Sequence, residues 1–223
     1  MKIIELEKHF GQFSLKVGGL YIEPGGIFGL IGPNGSGKST FMKIMAGIME
    51  PDNGKIDYEG LNYRDMTMVS RKPYFLHDTV YNNLIYPLRL RKIKPAPDLV
   101  DYFLSLAGLK QRQYAPSLSS GEQQKLALAR AMIFSPKLIF IDEAFSNLDM
   151  ESVSVFERVI LERQKIAPAT WVIISHQLSH IERLCAHAGF MYGGRLEAVG
   201  TIKEIFQNPE NPLLKKYLQY MSF

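Results

Sequence analysis

The sequence predicts an α/β fold in which a mainly parallel core sheet is flanked by helices on both faces. Three observations predict it. Strand-like and helix-like segments alternate along most of the chain. Two continuous apolar runs, KLIFID (137–142) and TWVIIS (170–175), have the length and β-branched content of buried parallel strands. A glycine-rich turn within GLIGPNGSGKST (29–40) joins a strand to a helix.

Taken in order, IIELEKHF (3–10), SLKVGGLYIE (14–23) and GGIFGLIG (25–32) read as strands, followed by a helix from Lys38 through Met49. GKIDYEG (54–60) reads as a hairpin strand with turn residues on both sides. Val80 to Leu109 is mostly helical, with a break at KIKPAPD (92–98), where two prolines interrupt the pattern. A helix from Ser120 to Phe134 leads into KLIFID. Helix 151–165, strand TWVIIS, helix 177–187, hairpin AGFMYGGRLEAVG (188–200) and a short terminal helix complete the chain. The expected division is one unit, 1–223, with 1–79 and 136–223 forming the core and antiparallel part and 80–135 the helical part.

Composition bounds the function classes. With 223 residues, 46% hydrophobic and 22% charged, the chain can bury a sizeable core as one domain. A formal charge of +4 suits phosphates, nucleic acid or an anionic membrane face without choosing among them. The single cysteine, Cys185, excludes an internal disulfide framework and a Cys-based zinc site, and fits the cytosol. MKIIELEKHF carries charges within its first eight residues and is not a secretory signal. No run has the length of a membrane-spanning helix, so work at a membrane would go through a partner. The chain ends on YLQYMSF, and no regulatory domain is expected there.

The turn GPNGSGKS satisfies the GxxxxGKS spacing, with Gly32, Gly37, Lys38 and Ser39 at the fixed places and Pro33, Asn34, Gly35, Ser36 and Thr40 filling it in. Glycines let successive backbone amides turn inward around an anion, and the helix N-terminus adds partial positive charge. Lys38 can then reach β- and γ-phosphates while the Ser39 hydroxyl ligates Mg²⁺. At the C-terminal end of KLIFID stand Asp142 and Glu143, at the sheet edge where ligands sit in open α/β folds. Adjacent positions there point differently, which assigns Asp142 to Mg²⁺ and Glu143 to polarising an attacking water.

LSSGEQQKLALARAM (118–132), together with these two motifs, resembles the signature segment of ATP-binding cassette (ABC) ATPases, a branch of the P-loop NTPases. The resemblance covers nearly the whole chain in the family's order. It implies ATP and Mg²⁺ as ligands, and a catalytic role for Glu143. It implies adenine stacking by Phe10, a γ-phosphate contact by His176 in VIISHQ, and a dimer-contact loop SNLD ending at Asp149. Ser119, Ser120, Gly121 and Glu122 would act in trans on nucleotide held by a second copy, as a twofold pair. Without the resemblance, Phe10 and His176 read as ordinary core or surface residues, and Ser119–Glu122 as a helix cap.

The resemblance also implies a transport ATPase subunit of the importer type, on the cytoplasmic face of the membrane, serving a separate permease and indirectly a solute-binding protein. The chain also resembles cassettes of inorganic oxyanion importers, such as tungstate or molybdate, and those of amino-acid importers; no nucleic acid is expected. A soluble non-transport ATPase and an ATP-dependent dimerisation module stay open beside it.

Three positions depart from the family pattern. Ala144 replaces a proline, Ser120 and Glu122 replace a glycine and a glutamine, and Arg71 in MVSRKPYF stands where a glutamine usually meets Mg²⁺ and water. No glutamine lies between Gln12 and Gln111, so no shift of alignment restores one. A guanidinium has donors and no acceptor and cannot ligate a cation. Arg71 is left to meet phosphate, Glu143 or solvent.

Overall fold

The apolar runs form the centre of the sheet. In the computed structural model, which describes residues 1–221, β4 (Ile27–Ile31), β7 (Leu138–Asp142) and β8 (Thr170–Ile174) are buried at every position. Ser222 and Phe223, the end of YLQYMSF, lie outside the described residues. Side chains alternate between the two faces of each strand, so one run feeds two cores. Phe28, Leu30, Leu138, Phe140, Val172 and Ile174 join one cluster with Phe41 and Met42 of helix α1 (Lys38–Met45). Ile31, Ile139, Ile141, Trp171 and Ile173 join the other, with the remaining helices.

Among the described residues ten strands make one sheet, in the order β3-β1-β2-β10-β9-β4-β8-β7-β6 with β5 paired to β1. Its parallel part is β9 (His187–Tyr192), β4, β8, β7 and β6 (Met66–Val69). The antiparallel part joins β1 (Lys2–Phe10) to β2 (Phe13–Val17), β3 (Leu20–Tyr21) and β5 (Asn53–Asp57), while β10 (Arg195–Thr201) pairs back on β9.

Helices α2 (Val80–Leu90) and α3 (Pro97–Ala107) are separated at the prolines as the sequence predicts, and Pro97 opens α3. Helix α4 (Ser120–Met132) packs against both. Helices α5 (Met150–Ile166) and α6 (Leu178–Leu184) follow β7 and β8, and α7 (Pro212–Met221) closes the described chain after a π-turn at Lys203–Gln207.

Several boundaries differ from the sequence reading. The expected strand 14–23 is two strands on one edge of β1 in continuous register, interrupted at Gly18 and Gly19, with β5 on the other edge. Helix α1 stops at Met45 where Gly47 turns left-handed (φ 68°), not at Met49. Helix α6 ends at Leu184, not at 187, because His187 is already in β9. Strand β6 was not expected; it has only four residues, MTMV, at the sheet edge with Val69 alone buried, too short a run to stand out as a strand.

Gly29 of β4 leaves room for α6: a Cβ there would lie 2.5 Å from an Ile181 methyl and 3.2 Å from the Cys185 sulfur. Cys185 is buried as expected, and burial raises its thiol pKa far above the usual range.

Candidate functional site

Four neighbouring parallel strands, β4, β8, β7 and β6, end on the same edge of the sheet. Register keeps those ends level: Leu30 and Asp142 both pair with Ile174, and Val69 pairs with Ile141. The residues that follow are Gly32–Gly37, Ser175–His176, Glu143 and Ser70–Arg71. The fold thus brings together segments that are far apart in the chain.

The loop after β4 is built by close approach. Gly32 has φ 144°, and a Cβ on it would lie 2.1 Å from the Met191 carbonyl oxygen. Only glycine fits there. The turn between β9 and β10 braces the far side, where the Gly194 N–H donates to the Ser36 carbonyl (3.0 Å). The Lys38 ammonium donates to the Gly32 and Pro33 carbonyls, at 2.7 and 2.9 Å. Burial pushes its pKa below the ordinary lysine value, against the opposing pull of Glu143 and Asp142. A desolvated cation in a glycine cradle favours an anion strongly.

Ser39, in the first turn of α1, donates its hydroxyl to Asp142 Oδ1 at 3.0 Å. Burial raises the Asp142 pKa, the Ser39 hydrogen bond lowers it, and Glu143 adds to the rise. Two hard oxygen donors on a buried carboxylate and a hydroxyl suit Mg²⁺. Ser36 is buried and its hydroxyl has no hydrogen-bond partner among the described residues, a donor left for a ligand inside the cradle.

Glu143 takes the left-handed backbone conformation (φ 53°), at a cost of about 1–2 kcal/mol. Its N–H donates to the Ile174 carbonyl (3.0 Å), and its carbonyl accepts from the Ser146 N–H and hydroxyl (3.2 and 2.9 Å). This turn swings the carboxylate out of the strand direction. His176 Nε2 lies 2.6 Å from Glu143 Oε1, and Arg71 Nη1 lies 3.3 Å from Oε2. The second contact is an ion pair and not a well-directed hydrogen bond, since Oε2 has no hydrogen-bond partner. Of the three partners open to Arg71, the fold supplies Glu143.

Other predicted residues stand apart from this cluster. Phe10 is at the end of β1, 41% exposed, with the Lys8 ammonium 5.9 Å from its ring centre. Its hairpin adjoins the phosphate loop through Phe13 and Leu15, each 3.1 Å from the place of a Gly37 Cβ. Ser119 caps α4: its hydroxyl accepts from the Glu122 N–H, and the Glu122 carboxylate accepts from the Ser119 N–H (2.9 Å). The glutamate at that position therefore completes a reciprocal cap. Ser120 begins the helix, and Gly121 lies against the loop 146–149, since a Cβ would lie 3.1 Å from the Asn147 carbonyl. Asp149 caps α5 through Ser152 and lies 3.6 Å from Lys125.

Sequence reasoning missed the residues that hold the segment around Arg71. Gln124 Nε2 reaches the Ser70 carbonyl (3.4 Å), and Arg130 donates to the Tyr74 carbonyl (2.9 Å) with its guanidinium 4.6 Å from the Phe75 ring centre. Burial pushes the Arg130 pKa down to about 10. A polar side chain in the apolar helix LALARAM was the available signal.

Residues 15–146 match the family described as ABC transporter. The chain is 35% identical over 204 residues to the tungstate uptake system ATP-binding protein of Peptoclostridium acidaminophilum, covering 87% of this chain and 95% of that one. It is 34% identical over 218 residues to the phosphate import ATP-binding protein of Saccharolobus solfataricus, covering 86% and 84%. A solved ATP-binding subunit of an ABC transporter matches with a TM-score of 0.83 at 24% identity, over 100% and 99% of the two chains. A dimeric post-hydrolysis ATP-binding cassette bound to ADP and phosphate matches with a TM-score of 0.79 at 21% identity, over 90% and 98%. A phosphate cradle, a serine–aspartate pair and a glutamate–histidine pair on one sheet edge, in a chain with these relatives, lead to one assignment: the chain belongs to the ABC transporter family, among its ATP-binding ATPase subunits.

Proposed function

We propose that this chain hydrolyses ATP to drive import of a solute through a separate membrane permease. The observation that carries the reading is the Glu143 carboxylate, held 2.6 Å from His176 on the edge shared with Lys38, Ser39 and Asp142. Lys38 exchanges its carbonyl partners for phosphate oxygens, and the loop amides of residues 34–39 turn onto the same phosphates. Glu143 polarises the attacking water, and His176 fixes that carboxylate and touches the γ-phosphate. Ser39 and Asp142 would hold Mg²⁺, which supplies charge neutralisation on the phosphates. Phe10 offers a ring face to adenine, which needs no base-specific hydrogen bond.

Two copies pair so that the Ser119–Glu122 turn of each faces the nucleotide of the other, with Asp149 in the contact loop. The N-terminus of α4 suits that role because its unpaired amides favour an anion. Residues 80–135 form the helical part that meets the permease, and a solute-binding protein delivers the cargo. The workplace is the cytoplasmic face of a membrane; among the described residues no helix is long and apolar enough to cross one. An oxyanion cargo is supported by relatives named for tungstate, phosphate and sulfate.

Phosphate release by the purified protein with ATP, with and without Mg²⁺, tests the catalytic part, with Glu143→Gln as control. No Mg²⁺-dependent release above that control rejects it. Uptake of labelled tungstate, phosphate and sulfate by cells carrying the chain with its neighbouring permease tests the cargo. Pairing on ATP with little turnover is a second reading, and the Arg71–Glu143 contact favours it.

A further inference from the structure

Strand β1 ends on Phe10, and along one edge its last residues are held by a side chain instead of a strand. On the β2 edge the ladder runs to the end, with His9 opposite Ser14 and Phe10 opposite Phe13. On the other edge the ladder with β5 stops where Glu7 meets Asn53. Asp52, the residue before Asn53, takes over from there. Its N–H donates to the Glu7 carbonyl (2.8 Å). Its Oδ2 accepts from the His9 N–H (2.7 Å), and its Oδ1 accepts from the Lys8 ammonium (2.6 Å).

Side chains alternate along a strand, so Lys8 and Phe10 share a face. The ammonium that Asp52 holds lies 5.9 Å from the Phe10 ring centre, within reach of a cation–π contact. The two side-chain contacts keep the Asp52 carboxyl below the ordinary carboxylate pKa, the Lys8 bond more than the His9 amide, so it is charged at neutral pH. Asp52 belongs to the connection from α1 to β5, and α1 opens on the phosphate loop. It therefore ties the strand end that bears the aromatic ring to the element that bears Lys38 and Ser39. Phe10 is 41% exposed, so order at that ring has to come largely from the backbone beneath it.

We propose that Asp52 is a positioning residue for nucleotide binding, fixing the end of β1 and with it the ring that Phe10 offers to adenine. It is not itself a contact of base or phosphate. A ring already ordered in the free protein costs less to order on binding, so affinity depends on Asp52 while the chemical step assigned to Glu143 does not. The inference rests on Phe10 being the adenine platform.

Asp52→Ala removes both side-chain acceptors and leaves the backbone bond to Glu7. Binding of ADP, followed by calorimetry, is expected to weaken about three- to tenfold, a part of what a stacked base contributes. KM for ATP should rise by a similar factor with kcat unchanged. Phe10→Ala should weaken ADP binding at least as much, and Asp52→Ala added to it should cost nothing further, because both act through one ring. Equal ADP affinity of Asp52→Ala and the parent, where Phe10→Ala binds more weakly, overturns the proposal. So does the same loss from Asp52→Ala in the Phe10→Ala background, which would put the effect on α1 and the phosphate loop. Hydrogen exchange at the His9 amide should be slow in the parent, and fast exchange there overturns the proposal even where the variant folds poorly. Failure of the adenine reading shows differently, as parental ADP affinity in Phe10→Ala itself, and it takes this inference with it.

Discussion

Arg71 Nη1 stands 3.3 Å from Glu143 Oε2, and the two side chains differ sharply in exposure, 64% against 8%. The arginine is therefore free to leave into water, while the carboxylate is not. A pair with one exposed partner is worth up to ~1 kcal/mol after screening. The contact joins the end of β6 to the end of β7, strands already paired in register. Whatever moves the segment after β6 changes the charge beside the Glu143 carboxylate.

Replacing Arg71 by glutamine removes a positive charge from Glu143 and supplies an amide oxygen able to meet Mg²⁺. Basal phosphate release is expected to rise, by at most about fivefold given the strength of such a pair. Half-saturating Mg²⁺ should fall. An unchanged rate together with an unchanged Mg²⁺ dependence would show that Arg71 does not govern Glu143.

Glu143→Gln preserves shape and removes the charge proposed to polarise water. Phosphate release should drop about a hundredfold or more while ATP still binds. Equilibrium dialysis of labelled ATP alongside a phosphate assay separates the two effects. Turnover within threefold of the parent would reassign the water-activating role.

Gly32→Ala places a Cβ 2.1 Å from the Met191 carbonyl oxygen, where backbone must shift. The expected loss of stability is about 2 kcal/mol or more, with nucleotide binding lost alongside. Gly35 has a positive φ too, but its Cβ would meet nothing within 4 Å. Gly35→Ala should cost only about 1 kcal/mol, from strain alone. Urea denaturation of the two variants gives the comparison.

His180 is buried edge-on against Phe145, with ring centroids 5.5 Å apart and Nδ1 unpartnered among the described residues. Burial lowers its pKa from 6.5; Glu157 opposes the shift and Arg183 adds to it. A histidine with a depressed folded pKa leaves stability whole above its unfolded pKa. Stability is then lost as pH falls below 6.5 towards the folded value. His180→Leu should flatten that fall, so its melting temperature should drop less than the parent's on acidification from about pH 7.5 to 5. Parallel curves would locate the acid sensitivity elsewhere.

The candidate site was legible wherever chemistry demands fixed local spacing. Lys38, Ser39, Asp142 and Glu143, which the fold brings to one sheet edge, stand out because an anion cradle uses glycines, a lysine and a hydroxyl in one turn, and the two carboxylates close a continuous apolar strand. The contact between Arg71 and Glu143 was not legible, since it depends on β6, a half-exposed edge strand of four residues. The strands at the centre of the sheet were plain from continuous apolar runs. The ends of α1 and α6 were not, because a left-handed Gly47 and the early start of β9 decide them.

The burial of Cys185 has a practical side. Its thiol is sealed in the core against β4 and α6, with an ionisation that neutral pH does not reach, so thiol reagents pass the folded chain by. Met150, at the start of α5 beside the Asp149 loop, is 88% exposed. A cysteine introduced there becomes the one labelling position on the folded protein, with no background to delete. A pair of nitroxide probes at that position would turn the approach of two copies on ATP into a measured distance.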